Sequence, residues 1–232
     1  MNSLVCIAYV PDTETRIKIG ADGKSIDESD VKWIVSPYDE FALEEALRIK
    51  EKKGAGNVTV ISVGPERVKT GLRECLARGA DDAIWVDSGS ASFLDALGTA
   101  KALAAAAKGG SYDFFWFGQK GVGYDESLVG PMFAELMGVP HVANVVKLEV
   151  GDGKVTADRE IEGAHEIVES ALPAALTARR EQDPLAVRMP ADHAVRHRMM
   201  REPQRRTAGG RHDVDIGVAV VIGAVGELRS VW

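Results

Sequence analysis

Short apolar segments alternate with longer amphipathic segments over residues 1–140, and no other feature constrains the fold of this chain as strongly. The apolar segments are rich in β-branched residues and predict strands, while the segments between them have the helical spacing of apolar residues. Strands separated by helical patterns of about 10–15 residues indicate βαβ units and a parallel sheet with helices on both faces. The predicted strands are Leu4–Val10, Val58–Val63, Ala83–Val86 and Tyr112–Phe117. Two helices are predicted over Glu66–Arg78 and Phe93–Lys108. Another helix is predicted to begin at Ser36, and a fourth to end at Met137.

The pattern changes at Val142, where shorter alternating segments flank a Gly-Asp-Gly turn at residues 151–153. Val145–Val150, Val155–Glu160 and Ile167–Leu172 predict an antiparallel meander. The predicted fold class is therefore α/β, a Rossmann-like open sheet that is mostly parallel, with helices on both faces and a β-rich edge.

Composition restricts the classes of partner and the compartment. The 232 residues carry a formal net charge of −7, which argues against nucleic acid as the main partner because phosphate binding requires a basic face. No apolar run reaches the ~18–20 residues of a membrane-spanning helix, so no membrane insertion is expected. The N-terminus lacks the basic region of a secretory signal, and two cysteines cannot form a disulfide framework. The expected location is cytoplasmic.

The charge balance breaks near residue 178. Residues 1–178 hold 18 Lys and Arg against 28 Asp and Glu, whereas residues 179–232 hold 10 Arg, no Lys and 7 Asp and Glu. We therefore divide the chain into an α/β domain, 1–178, and an Arg-rich tail, 179–232. The tail's composition fits a disordered segment, or an out-of-frame reading of GC-rich coding DNA, and a genuine divergent extension is the alternative.

Candidate binding residues follow the predicted strands, because ligands of open α/β sheets bind beyond the carboxyl ends of the strands. The richest segment is Gly118–Pro131, whose glycines allow close backbone approach and whose following helix offers unpaired N–H groups to a phosphate. The alternative is a plain strand-to-helix turn that needs small residues. At the first helix, Ser36 is predicted to cap, Pro37 to occupy the first helical position and Asp39 to bond back to the cap.

The common signatures of catalysis are missing from the sequence. There is no Walker phosphate loop, no third glycine of a dinucleotide fingerprint after Gly121 and Gly123, and no G-x-S-x-G elbow. His141 and His165 have no ligand partners at metal spacing, so no zinc site is predicted. This favours a carrier or binding protein over a hydrolase, with no catalytic residue set of its own.

Six segments together resemble the β subunit of electron transfer flavoprotein, over residues 1 to about 178. They are Val10–Thr13, Ser36–Arg48, Ser62–Pro65, Gly79–Asp82, Gly118–Pro131 and Asp158–Gly163. The resemblance implies an adenine-nucleotide-binding fold and a heterodimer with an α subunit, whose FAD this chain would help to enclose. It also implies electron transfer from dehydrogenases to an acceptor such as a membrane quinone reductase.

The resemblance further implies a structural AMP in the β subunit, replaced by a second FAD in the electron-bifurcating branch. By position, its contacts would be Cys6, Ser36, Pro37, Tyr38, Asp39, Val63, Gly118, Gln119, Lys120, Gly121, Val122, Gly123, Tyr124, Asp125, Glu126, Ser127, Leu128 and Val129.

The chain departs from the family pattern at several positions. The usual Lys–Gln order is reversed at Gln119–Lys120, Gly123 stands where Asp is usual, and Leu128 replaces a polar residue. Thr13 occupies the position of an aromatic that approaches the flavin in some members, and the tail lacks the family's partner-docking motif. Two alternative functions are a stand-alone adenine-nucleotide-binding module like the universal stress proteins and a pyrophosphatase-type enzyme. This sequence lacks the glycine-containing loop that is expected in each of them.

Overall fold

The computed structural model describes residues 1–89, 94–122 and 125–179, together with the backbone of three further strands at 195–199, 220–223 and 229–231. The tail that the composition break defines, residues 179–232, lies mostly outside this described part. Of the tail, the structure describes Arg179 and the backbone of those three strands.

Four helices and a series of strands make up the described chain. The helices are α1 (Pro37–Lys53), α2 (Val68–Ala77), α3 (Ala96–Ala107) and α4 (Val129–Met137). The strands are β1 (Ser3–Cys6), β2 (Tyr9–Pro11), β3 (Trp33–Val35), β4 (Val58–Gly64), β5 (Asp82–Asp87), β6 (Phe114–Gly118), β7 (His141–Val150), β8 (Lys154–Ile161), β9 (Ala164–Ala171), β10 (Ala174–Ala178), β11 (Val195–Met199), β12 (Val220–Gly223) and β13 (Arg229–Val231).

The central sheet is mostly parallel, as the alternating sequence predicts. Its strand order is β9-β8-β7-β10-β6-β1-β4-β5, with β11 beside β9 and with β12 and then β13 beyond β5. The strands from β7 through β10 to β5 pair in parallel, whereas β7, β8 and β9 form the predicted antiparallel meander at one side. β2 and β3 pair separately as a two-stranded ribbon.

The helices cover both faces of the sheet, and the alternation of side chains along β1 explains the two cores. Val5 packs on the face covered by α1 and α2, and Leu4 packs on the face covered by α3 and α4. The apolar sequence of β6 is buried on both faces, as expected for a central parallel strand. Helix α1 begins at Pro37, as predicted, and ends at Gly54, whose φ of 65° is the left-handed conformation that favours glycine.

Two local predictions are wrong in instructive ways. The predicted strand Leu4–Val10 is divided into β1 and β2, because the chain leaves the central sheet after Cys6 and pairs with Trp33–Val35 instead. Strand β10 was not predicted at all, although it lies between β6 and β7 and is buried throughout. Its sequence, Ala-Ala-Leu-Thr-Ala, has little β propensity, so its pairing depends on the neighbouring strands.

Candidate functional site

The parallel strands end at one edge of the sheet, and their order reverses at β1. From β1 the chain reaches β4 on one side, and from β5 it crosses back to β6 on the other. Helix α1 packs on one face and α3 on the other, so a crevice opens between the carboxyl ends of β1 and β6. Ligands of open α/β sheets bind at such a point.

A cleft of about 260 Å³ occupies this position. Its lining residues come from the ends of β1, β4, β6 and β10, the first turn of α1, the glycine loop (residues 118–128), α3 with the segment just before it, and the start of α4. They are Cys6, Ile7, Ala8, Asp39, Val63, Leu94, Ala96, Thr99, Leu103, Phe117, Gly118, Gln119, Lys120, Gly121, Glu126, Ser127, Leu128, Val129, Gly130 and Thr177. A larger hollow of about 430 Å³ lies between α1 and β7, away from the glycine loop.

Asp39 holds two strand ends of this cleft together. Its carboxylate accepts hydrogen bonds from the backbone N–H of Ala8, at 2.8 Å, and of Gly118, at 3.0 Å. The prediction that Asp39 bonds back to the helix cap is therefore wrong, because Ala8 and Gly118 take both of its oxygens. The predicted side-chain cap from Ser36 is also absent, and the buried Ser36 hydroxyl lies beside Asp39 without the geometry of a full hydrogen bond.

Burial controls the acidity of Asp39. Removal from water raises the pKa of this carboxyl to about 6, although the two backbone N–H donors and the nearby Ser36 hydroxyl act in the opposite direction. The carboxylate also contributes, after burial itself, to the raised pKa of the buried Cys6 thiol. Both groups line the cleft, and the thiol at the end of β1 is held in its neutral form.

Gly118 is required by its contact with Asp39. A Cβ atom at this position would lie under 3.0 Å from the Asp39 carboxylate and from the backbone of Tyr38. Gly121, in the same loop, differs, because its nearest neighbour would be the Glu126 carbonyl oxygen at 3.8 Å. Gly118 and Gly121 therefore serve different purposes, and of these two only Gly118 is fixed by packing.

Backbone hydrogen bonds close the glycine loop beyond the end of β6. The N–H of Gly121 donates to the Glu126 carbonyl at 2.8 Å, and the N–H of Asp125 donates to the Gly121 carbonyl at 3.1 Å. Asp125 has a φ of 56°, a left-handed conformation that Asp and Asn tolerate better than most residues. The Lys120 ammonium pairs with the Asp125 carboxylate and lies 5.5 Å from the centre of the Tyr38 ring.

Helix α4 begins at the mouth of the cleft. Its N-cap residue, Leu128, provides no side-chain hydrogen bond to the first turn. Leu128, Val129 and Gly130 all line the cleft, so the positive end of the helix dipole is directed at it. A Cβ atom on Gly130 would lie 3.0 Å from the Thr177 methyl group, which shows how closely α4 packs on β10 at this point.

The cleft brings together most of the residues predicted from the sequence. Cys6, Asp39, Val63, Gly118, Gln119, Lys120, Gly121, Glu126, Ser127, Leu128 and Val129 line it. Ser36, Pro37, Tyr38, Val122 and Asp125 are not part of this lining, although Tyr38 and Asp125 both contact Lys120. Gly123 and Tyr124 lie outside the described residues.

The sequence prediction missed one wall of the cleft. Leu94 precedes α3, and Ala96, Thr99 and Leu103 lie along this helix. Thr177 comes from β10. Because ligands of open α/β sheets bind beyond the carboxyl ends of the strands, the end of β5 would have indicated the start of α3. No sequence motif marks that segment. Thr177 was out of reach because β10 itself was not predicted.

Within the part of the chain that the structure describes, no group of three or more His, Cys, Asp and Glu side chains could hold a metal ion. None of the helices in this part is long and apolar enough to cross a membrane.

Comparison with known proteins gives a consistent result over most of the chain. Residues 24–198 match the model of a family described as the electron transfer flavoprotein domain. The electron transfer flavoprotein subunit beta of Thermoanaerobacterium thermosaccharolyticum is 41% identical over 181 residues, which cover 78% of this chain and 69% of the relative. The Bacillus subtilis protein of the same name is 33% identical with the same coverage, and Protein FixA of Azotobacter vinelandii is 35% identical over 184 residues, 76% of this chain and 65% of the relative.

Proposed function

This chain belongs to the electron transfer flavoprotein family, among its β subunits, and on that premise we propose that it is the β subunit of a heterodimeric electron carrier. Its partner is an α-type subunit, and the pair takes electrons from dehydrogenases and passes them to an acceptor such as a quinone reductase. The chain acts as a carrier subunit, and we assign it no catalytic residues.

We propose that the cleft at the β1/β6 edge binds AMP. The observation that carries this proposal is the convergence of Asp39, the glycine loop and the start of α4 on one crevice. Leu94 and Leu103, on the α3 side of the cleft, are apolar and suit a base, whereas the loop backbone, the start of α4 and Lys120 suit a phosphate. The residues present therefore fit an adenine mononucleotide.

The size of the cleft favours AMP over a second FAD. Its volume of about 260 Å³ is close to the lower end of the ~300–1,000 Å³ typical of small-molecule sites, and a dinucleotide needs more room. A bifurcating-type subunit with its own FAD is thus the second candidate. The flavin of the carrier is the FAD held mostly by the α subunit, where it supplies the one-electron chemistry.

This chain would complete the FAD environment through residues near β2. The resemblance aligns exposed Thr13, just after β2, with an aromatic that approaches the flavin in some relatives. A Thr has no ring to stack on the isoalloxazine, so this chain would cover the flavin edge by van der Waals contact without aromatic stacking. The two cysteines, Cys6 and Cys75, are free and buried, which is consistent with a reducing compartment, and we propose the cytoplasm as the location.

Nucleotide content tests the proposal directly. The chain is co-expressed with the α-type subunit encoded beside it, the complex is purified and denatured, and the released nucleotides are quantified by chromatography. One FAD and one AMP per complex is the expected result. Two FAD would assign the chain to the bifurcating branch, and AMP bound to the chain without an α partner would support a stand-alone module like the universal stress proteins. No complex and no nucleotide would contradict the proposal.

A further inference from the structure

The cleft has an unfavourable charge balance for an anionic ligand. Among the described residues that line it, Lys120 is the one Lys or Arg, whereas Asp39 and Glu126 are both carboxylates. Among these described lining residues, Lys120 is therefore the one cationic side chain with which a phosphate in the cleft can pair. The state of that group in the ligand-free cleft decides how much a phosphate gains from it.

The Lys120 ammonium already has an anionic partner. It forms an ion pair with the Asp125 carboxylate, and it lies over the Tyr38 ring, 5.5 Å from the ring centre. This pairing raises the pKa of Lys120, so the ammonium keeps its charge. The side chain of Asp125 is 74% exposed, which leaves it able to swing into solvent when another anion replaces it.

The loop backbone holds Asp125 in this position. Its N–H donates to the Gly121 carbonyl, and the neighbouring Glu126 carbonyl accepts from the Gly121 N–H. The left-handed φ of 56° turns the chain at this point. The fold therefore places this carboxylate beside Lys120, which lines the cleft, although Asp125 itself does not line it.

We propose that Asp125 is a specificity-determining residue, whose carboxylate competes with the phosphate of a bound nucleotide for the Lys120 ammonium. The competition lowers the affinity of the cleft for charged nucleotides and leaves its affinity for the neutral nucleoside unchanged. This inference rests on the proposed binding of an adenine nucleotide.

Substitution of Asp125 by Asn tests the inference, because Asn tolerates the same backbone conformation while removing the charge. The full-length chain, in complex with its α-type partner and stripped of its nucleotide in the β site, is titrated calorimetrically with AMP and with adenosine. The Asp125→Asn variant is expected to bind AMP about three- to fivefold more tightly, the range of an exposed ion pair, with adenosine affinity unchanged. Raised salt should reduce the difference.

Two further variants separate competition from other causes. Asp152→Asn makes the same substitution in the exposed turn between β7 and β8, outside the cleft, and should change AMP affinity by less than about twofold. In a Lys120→Gln background, Asp125→Asn should lose its effect on AMP. Circular dichroism and thermal unfolding check that every variant is folded.

The outcomes distinguish this inference from the proposed function. Three results would overturn the inference even though the wild-type complex binds AMP. The Asp125→Asn variant would bind AMP with unchanged affinity, its affinity for adenosine would rise as much as its affinity for AMP, or its higher AMP affinity would persist in the Lys120→Gln background. If neither the wild-type nor the Asp125→Asn complex binds AMP or adenosine, the nucleotide function and this inference both fail.

Discussion

Asp39 and Gly118 lie 79 residues apart in sequence, and a hydrogen bond of 3.0 Å joins them, with the Gly118 N–H donating to the Asp39 carboxylate. The same carboxylate accepts the N–H of Ala8. Because Ala8 follows β1 and Gly118 ends β6, one side chain in the first turn of α1 fixes both strand ends that border the cleft. The shape of the cleft therefore depends on this contact.

Gly118→Ala should destabilise the protein and impair nucleotide binding. The added Cβ would meet the Asp39 carboxylate and the Tyr38 backbone, and such overpacking costs about 1–3 kcal/mol. Urea unfolding measures the loss. Gly121→Ala is the matched control in the same loop, because its Cβ makes an ordinary contact, and it should remain within about 0.5 kcal/mol of wild type. Equal losses of stability in the two variants would contradict the conclusion that packing requires glycine at position 118.

The contribution of Asp39 to stability should decrease as the pH rises. Its pKa is about 6 in the folded protein and 3.8 in the unfolded reference, so the folded state binds the extra proton between these values. The free energy of unfolding should therefore fall by about 2 kcal/mol between pH 4 and pH 7 on account of this group. The difference in stability between wild type and Asp39→Asn, measured by urea unfolding across this range, isolates the effect.

Asp152→Asn, at an exposed turn, controls for the removal of one negative charge. A constant difference between wild type and Asp39→Asn from pH 4 to pH 7 would show that burial does not raise the pKa of Asp39.

His141 should have the opposite pH dependence. Burial, together with the positive charge of Arg159, lowers the pKa of this imidazole to about 4, and its Nε2 atom is buried without a hydrogen-bond partner. The unfolded state binds the proton between pH 4 and 6.5, so this group adds up to about 3 kcal/mol of stability as the pH rises. His141→Leu should remove that gain and be more stable than wild type near pH 4.

Because the Asp39 and His141 effects have opposite signs over the same range, the wild-type protein alone should show little net slope from them. The two single variants should diverge in unfolding experiments as the pH is lowered from 7 to 4. If the free energies of unfolding of the two variants change in parallel with pH, both the raised pKa of Asp39 and the lowered pKa of His141 are contradicted.

Thr177→Val should destabilise the junction of β7 and β10. The Thr177 side-chain oxygen accepts the N–H of Asn144 at 2.9 Å, at a point where Asn144 has a left-handed φ of 57°. Val has the same shape and cannot accept this bond, which leaves a part-buried N–H unpaired at a cost of about 1–3 kcal/mol. Thr177→Ser keeps the hydroxyl and should retain the Asn144 bond, which amide hydrogen exchange at Asn144 can report. Equal exchange rates in the two variants would count against this role.

Local sequence patterns predicted much of the fold for a physical reason. Periodicity reports which face of an element is buried, and Pro37 and Gly54 mark helix ends through their own backbone preferences. The position of Val63 and the glycine loop after predicted strands placed them at one edge of the sheet, where the structure places them, whereas Cys6 was named only through the resemblance. The resemblance in Ser36–Arg48 and Gly118–Pro131 identified the family that the comparisons establish.

The same reasoning failed where a residue's partner is distant in sequence. Asp39 was predicted to bond within its own helix turn, because local spacing permits it, but the carboxylate binds Ala8 and Gly118 instead. The end of β1 was misjudged for a related reason, since Tyr9 pairs with Val35 rather than continuing along the central sheet.

The sequence by itself determined the α/β class, the helix boundaries marked by proline and glycine, the glycine loop and the family. Only the tertiary structure decided that β10 lies between β6 and β7, that α3 forms a wall of the cleft, and that Asp125 holds Lys120. Periodicity and turn propensity are properties of neighbouring residues. Strand order and ion pairing depend on contacts that form only when the whole sheet has assembled.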